Sequence, residues 1–274
     1  MVLFITERDA VRERREVGLK PPWTADPAIA GYRYCNVRRE DDKVTRWIAA
    51  NWRNSNATHP NLVLAMVLAR MVNWPDSLDQ IGFPFKWDPN RVKMILQLRQ
   101  SNKLKTWSAA YMITTCGKRM SKEEYVVDYV CGQVASMTYG DFEFRNFTLA
   151  SAWKRLSIAD GLGSFLAAQV VADLKNTPGH SLAQAPDWWV WSAPGPGSLR
   201  GLNWFFHDKP DGPITATKYE AKIQECWAAV RELLPENLQD LHMQDFQNCL
   251  CEFGKYCRIR YGDGRVRSRY IART

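Results

Sequence analysis

Leu156-Ser157-Ile158-Ala159-Asp160-Gly161-Leu162-Gly163-Ser164-Phe165-Leu166-Ala167-Ala168-Gln169-Val170-Val171-Ala172-Asp173-Leu174 is the stretch whose reading decides the fold. Apolar Leu156 and Ile158 close one helical pattern. A second runs through Ala167, Val170, Val171 and Leu174, with small Ala167 and Ala168 at packing positions. Between them, two glycines flank one apolar residue. Glycine adopts backbone angles that other residues avoid, so Gly161-Leu162-Gly163 predicts a tight elbow between two helices. It also predicts that the amides at the start of the second helix, at Gly161, Gly163 and Ser164, face a phosphate. An ordinary helical hairpin is the alternative reading of the same residues.

Helical periods extend in both directions from this elbow. Upstream, Val44, Trp47, Ile48 and Trp52 fall on one face of Asp42–Arg53, and Leu62–Val72 is apolar almost all round, as a central buried helix would be. Asp88-Pro89 is a helix start, followed by Val92, Ile95 and Leu96. Ser121 with Glu124 predicts a capping box before Val126, Val127, Val130 and Val134. Downstream, Thr217 with Glu220 predicts another before Ile223, Trp227, Val230 and Leu234, and the last helix is expected at about 243–257. Alternation with period two is rare. A short hairpin near Tyr261-Gly262-Asp263-Gly264, leading to Arg269-Tyr270-Ile271, is the one expected piece of sheet. The fold class is therefore all-α.

The chain has 274 residues, 46% hydrophobic and 24% charged, which is the composition of a globular protein with a substantial core and not of a disordered one. Lys and Arg exceed Asp and Glu by 37 to 29, giving a net charge of +8 that favours polyanionic partners. From residue 255 onward Lys255, Arg258, Arg260, Arg265, Arg267, Arg269 and Arg273 face a single acid, Asp263. That segment reads either as a solvated tail or as one that tracks phosphates. The seven cysteines are odd in number and irregular in spacing, with no signal peptide before them, so reduced thiols in a cytoplasmic compartment are expected. Neither the cysteines nor the four histidines show metal-ligand spacing, and no metal or cofactor is expected. No apolar run reaches membrane-spanning length.

The elbow resembles the helix-hairpin-helix motif of the DNA glycosylase superfamily. The resemblance implies a glycosylase-like helical fold, as one domain over residues 1–274 or as two lobes with a cleft. In that superfamily a lyase-competent lysine can lie two residues after the second hairpin glycine. Here the position is Phe165, which speaks against a lyase. A catalytic aspartate usually follows the hairpin helix, and Asp187 in Pro186-Asp187-Trp188-Trp189 is the candidate, at a somewhat longer spacing.

Further blocks carry a narrower resemblance. They are Pro22-Trp23-Thr24-Ala25-Asp26-Pro27, Asn36-Val37-Arg38-Arg39-Glu40-Asp41-Asp42, Ala110-Tyr111-Met112-Ile113, Gly195-Pro196-Gly197-Ser198-Leu199-Arg200-Gly201-Leu202-Asn203 and Glu252-Phe253-Gly254-Lys255-Tyr256. Together they resemble the α-glutamyl/putrescinyl thymine pyrophosphorylase family of phages, also described as amino acid:DNA transferases. A closely similar helical domain is named for 5-hydroxymethyluracil DNA kinases. The transferase resemblance implies a substrate DNA bearing 5-pyrophosphoryloxymethyl uracil, with the base rotated out of the helix. An amino acid or polyamine displaces pyrophosphate to leave a hypermodified thymine, in the host cytoplasm.

Such chemistry needs donors for a strongly anionic leaving group. Gly195, Gly197, Ser198, Arg200 and Asn203 are one candidate set, Arg38 and Arg39 a second, with Tyr256 nearby; a structural Pro-Gly turn and a solvated charged face are the plain alternatives. The incoming amine must lose a proton, for which Asp187 and Glu252 are candidates. Glu252 shares a helix face with Lys255, where an ordinary ion pair is equally expected. Trp23 and Arg258 are further candidates for contact with DNA. The chain contains no Gly-x-x-x-x-Gly-Lys-Ser/Thr, so a P-loop kinase activity is disfavoured and a partner kinase would supply the pyrophosphate. Two other functions fit the sequence: a monofunctional glycosylase using Asp187, and a non-catalytic DNA-binding partner of a kinase.

Overall fold

The computed structural model describes residues 1–111, 113–137 and 147–262, and these are helical with no β-strand. The chain is all-α, as its periodicity predicts. It divides into two compact units. One is continuous, Lys43–Trp191. The other joins the N-terminal segment Met1–Asp42 to Ser192–Thr274.

The continuous unit is built on α4 (Leu62–Val72), in which every residue is buried. Around it lie α3 (Lys43–Ile48, continued by a π-helical turn to Arg53), α5 (Pro75–Ile81) and α6 (Pro89–Ser101). Next comes a helical run of α7 (Lys122–Glu124), a π-helical stretch Tyr125–Cys131 and α8 (Gly132–Ser136), followed by α9 (Leu149–Leu156) and α10 (Gly163–Lys175). The start signals work locally. Asp88 accepts a hydrogen bond from the Arg91 amide at 3.0 Å, and Ser121 and Glu124 form the capping box the sequence predicts. Val126, Val127, Val130 and Val134 are buried behind it. Each large apolar side chain removed from water this way contributes roughly 1.5–3 kcal/mol before entropy is counted.

One ionic group sits inside this core. Arg70 of α4 donates to both carboxylate oxygens of Asp173 on α10, at 2.6 and 2.5 Å, and Arg53 approaches Asp173 at 3.3 Å. Asp173 is completely buried and both arginines are 2% exposed, so the carboxylate that follows the elbow most closely is structural. Removing one member of such a group costs about 3–5 kcal/mol, because the charges left behind stay buried.

The other unit contains α1 (Val2–Glu16), α2 (Pro27–Ala30), α11 (Pro196–His207), α12 (Tyr219–Arg231) and α13 (Met243–Tyr261). Its core gathers Phe4, Ile5, Val37, Leu202, Ile223, Phe246, Leu250 and Phe253. Two sequence expectations are corrected here. Thr217 does not cap α12: it lies in the tight turn Ala216–Lys218 with its hydroxyl on that of Thr215, and the helix begins at Tyr219. Tyr219 is buried and bonded to Ser192, and this anchors the start. The last helix also runs one turn further than expected. Tyr261 is its final residue and Gly262, with φ +72°, its left-handed cap. The remainder of the expected hairpin, and most of the basic tail, lie outside the described residues, as does Met112.

Candidate functional site

The elbow in the continuous unit joins two helices. α9 ends at Leu156, α10 begins at Gly163, and Gly161 and Gly163 have φ of +86° and +66°. Leu162 between them is buried, 2% exposed. The two glycines serve different ends. A Cβ on Gly161 would lie 2.5 Å from the Tyr125 hydroxyl and 2.9 Å from Val130, so this glycine permits close packing. A Cβ on Gly163 would meet nothing within 4 Å: this glycine, with Ser164 and Phe165, is at the surface.

The elbow is braced from below. Gln133 donates to the Asp160 carbonyl and accepts from the Asp160 amide, both at 3.0 Å. The Tyr129 hydroxyl donates to the Asp160 carboxylate, and Lys118 lies 3.5 Å from it. These contacts, Tyr129 foremost, lower the Asp160 pKa below the ordinary carboxylate value. The Trp153 indole N–H donates to the Ser164 carbonyl at 2.8 Å. Helix α10 has no side-chain cap, and the amides of Gly163, Ser164 and Phe165 have no hydrogen-bond partner among the described residues. Free amides at a rigid helix start, reinforced by the helix dipole, suit a bound anion.

α9 contrasts with it. Thr148 and Ser151 form a capping box, and Asp187 adds two acceptors from a distant part of the chain. Its oxygens receive the amides of Leu149 at 2.7 Å and Ala150 at 3.1 Å. Both oxygens of the predicted catalytic aspartate therefore hold a helix start.

In the discontinuous unit the Gly195–Asn203 block opens α11. Gly195 precedes the helix in an extended conformation. Ser198, fully buried, donates to the Gly195 carbonyl at 3.1 Å and accepts from its amide at 3.3 Å. Gly197 and Gly201, one turn apart, face α13. A Cβ on Gly197 would lie 3.0 Å from the Cys251 sulfur, and one on Gly201 only 2.1 Å from the Leu250 carbonyl oxygen. Gly254 completes the seam from the other side, with a Cβ position 3.1 Å from the Gly201 nitrogen. Asn203 clamps the following loop. Its amide donates to the carbonyls of Leu199 and Ile214 at 3.0 and 3.1 Å, and its carbonyl accepts from the Ile214 amide at 3.1 Å.

Within this block, Arg200 is the residue left to meet a ligand. It lines a groove of about 520 Å³ with Pro196, Leu199, Lys209, Asp211 and Gly212. Neither Arg200 nor Lys209 has an ion-pair partner among the described residues. Sequence reading missed Lys209. Its signal was its place in the polar, Pro- and Gly-rich turn 208–213, which the Asn203 clamp folds back over α11.

On α13, Lys255 lies 3.3 Å from Glu252, donates to the Arg33 carbonyl and sits 4.6 Å from the centre of the Tyr34 ring. The Tyr256 hydroxyl donates to Asp26 at 2.8 Å, and Asp26 in turn caps α2 by accepting from Ala28 and Ile29. Desolvation, then Asp26, pushes the Tyr256 phenol up to about 12. Glu252, Lys255 and Tyr256 thus form one polar face with the N-terminal segment. Arg38 and Arg39, predicted as a clamp, turn to different partners. Arg38 donates to the Asn237 carbonyl at 2.7 Å and pairs with Asp240. Arg39 is nearly buried, its amide on Asp245 at 3.0 Å and its guanidinium 3.4 Å from Glu40. The Trp23 indole donates to the Leu19 carbonyl at 2.6 Å, with Arg15 over its ring, and Arg258 stands on the last turns of α13.

The uncapped, glycine-turned start of α10 and the groove lined by Arg200 and Lys209 are the features of these units whose chemistry suits an anion. The family described as "5-hmdU DNA kinase, helical domain" matches residues 1–265, and the chain belongs to it. Among curated proteins it is similar to the 5-hmdU DNA kinase of Bacillus phage SP10, 21% identical over 279 aligned positions. That match covers 92% of this chain and 43% of the relative, so the chain spans less than half the length of the kinase it resembles. No solved structure matches.

Proposed function

We propose that this chain acts on DNA in the modification of 5-hydroxymethyluracil, as a phage hypermodification enzyme that replaces pyrophosphate on 5-pyrophosphoryloxymethyl uracil with an amine. The observation that carries the DNA part is the open start of α10: three unpartnered amides on a braced, exposed elbow. Such amides would serve as a helix-hairpin-helix phosphate contact, which fixes a strand without reading its sequence.

The transfer part draws on the groove beside α11. In the reaction an amine nitrogen attacks the 5-methylene carbon, the carbon–oxygen bond breaks, and pyrophosphate departs with its electron pair. Arg200 and Lys209 are cations in position to neutralise such a leaving group. The proton lost by the amine needs an acceptor, and Glu252, held beside Lys255, is the proposed one. Asp187, with both oxygens on backbone amides, is poorly placed to stabilise a sugar cation, which favours transfer over base excision.

A second reading has its own support. The family is named for the helical domain of a DNA kinase, and the chain spans 43% of the relative. In this reading the chain binds DNA without turnover and presents the base to a separate kinase. Incubating DNA that carries the pyrophosphorylated base with a panel of amino acids and polyamines, then weighing the nucleosides, separates the readings. A mass gain of amine less pyrophosphate supports transfer. Free base indicates a glycosylase. Unchanged nucleosides with retained DNA binding indicate the binding domain.

A further inference from the structure

Beside the elbow lies a cleft of about 370 Å³, and its walls are unlike those of an ordinary surface depression. Tyr111, Ile113, Leu162, Ser164 and Phe165 line it, and no charged side chain does among the described residues. Phe165 is 55% exposed, although an aromatic ring left in water forgoes a large burial gain. The ring is held in place. Tyr111 meets it edge to face, with centroids 5.2 Å apart and planes at 80°. The Tyr111 hydroxyl donates to Gln169, one helical turn beyond Phe165 on the same helix, at 3.2 Å. The nearest acid on the elbow, Asp160, is engaged by Tyr129 and Lys118.

We propose that Phe165, backed by Tyr111, is a stacking platform for a base of the strand whose phosphate the α10 amides hold. The inference rests on the DNA-binding reading above and adds to it a second point of contact. The cleft selects a nucleic-acid occupant by its chemistry. Among the described residues an uncharged, aromatic-walled slot adjoins unpartnered amide donors, which suits a ligand that places a flat, neutral ring beside an anion. A nucleotide does this within one residue; an apolar peptide brings no anion to the amides. Aromatic faces accept every base, so the contact fixes the strand and disfavours none of the four. The position at which a lysine would support lyase chemistry is thus occupied by a residue that can grip and cannot form an imine.

The test uses the whole chain and DNA oligonucleotides carrying 5-iodouracil at successive positions, irradiated and digested for peptide mapping. Binding is followed in parallel by anisotropy for the wild type and for Phe165→Ala, Phe165→Trp and Ser164→Glu. The expected result is an adduct on Phe165 or Tyr111 at one register. Phe165→Ala should weaken binding about tenfold or more, Phe165→Trp should retain it, and Ser164→Glu should weaken it independently. Adducts elsewhere, with Phe165→Ala within twofold of wild type while Ser164→Glu still weakens binding, would overturn the platform and leave the phosphate contact standing. No DNA binding by the wild type, or none altered by Ser164→Glu, would overturn the DNA reading and this inference with it.

Discussion

Two helices in this molecule have a glycine-flanked residue at their start, and in one the glycines open onto the surface while in the other they face a neighbouring helix. At α10, Gly161-Leu162-Gly163 leaves the helix start open, with Gly163 at the surface and three amides unpartnered among the described residues. At α11, Gly195-Pro196-Gly197 is packed inward: buried Ser198 folds back onto Gly195, and Gly197 turns toward α13 to admit close contact. The difference lies in the residue between the glycines and in the face of the helix beyond them. Buried Leu162 pulls the elbow onto the core and lifts the next residues outward. Pro196, already shaped for a first helical turn, starts a helix whose Gly197 and Gly201 row faces a neighbour. Spacing of glycines alone does not distinguish an exposed helix start from a packing seam.

Substitutions sharpen the contrast. The largest effect is expected at the seam. Gly201→Ala would put a Cβ 2.1 Å from a backbone oxygen that cannot rotate away, and should cost at least about 3 kcal/mol, read as a drop in denaturation midpoint. Gly161→Ala combines a positive φ with a clash on buried Tyr125 and should cost about 2–3 kcal/mol in the same assay. Asp187→Ala removes two acceptors from the start of α9 and should lower stability by about 1–2 kcal/mol; an unchanged melting temperature would show that the carboxylate is not structural. Gly163→Ala has the strain of its φ and no clash, about 1 kcal/mol, so Gly161→Ala should exceed it clearly.

Much of the fold was legible in the sequence because its signals are local. Asp88 and Ser121 cap the helices they precede, and the all-apolar run Leu62–Val72 is the buried helix it promises to be. The Thr217 box failed because a distant contact, Ser192 on Tyr219, decides where α12 starts, and sequence spacing carries no trace of it. The site was less legible for the same reason. Ser198 and Asn203 have side chains that suit a phosphate, yet their partners are Gly195 and the Leu199 and Ile214 backbone. Arg38 and Arg39 are adjacent in sequence and diverge in space, as neighbours at a helix start do. Lys209 and Phe165 come to line the groove and the cleft through the fold, which only three dimensions reveal.

Anion binding at the start of α10 is tested by the affinity of the folded chain for DNA before and after Ser164→Glu, measured by anisotropy across a range of salt. Ser164 is exposed at the open start of α10, so the substitution should leave the melting temperature within about 2 °C, since surface changes rarely exceed about ±0.5 kcal/mol. It should weaken binding at least tenfold, because a carboxylate would stand at the proposed phosphate site. An affinity unchanged by that carboxylate would contradict the account.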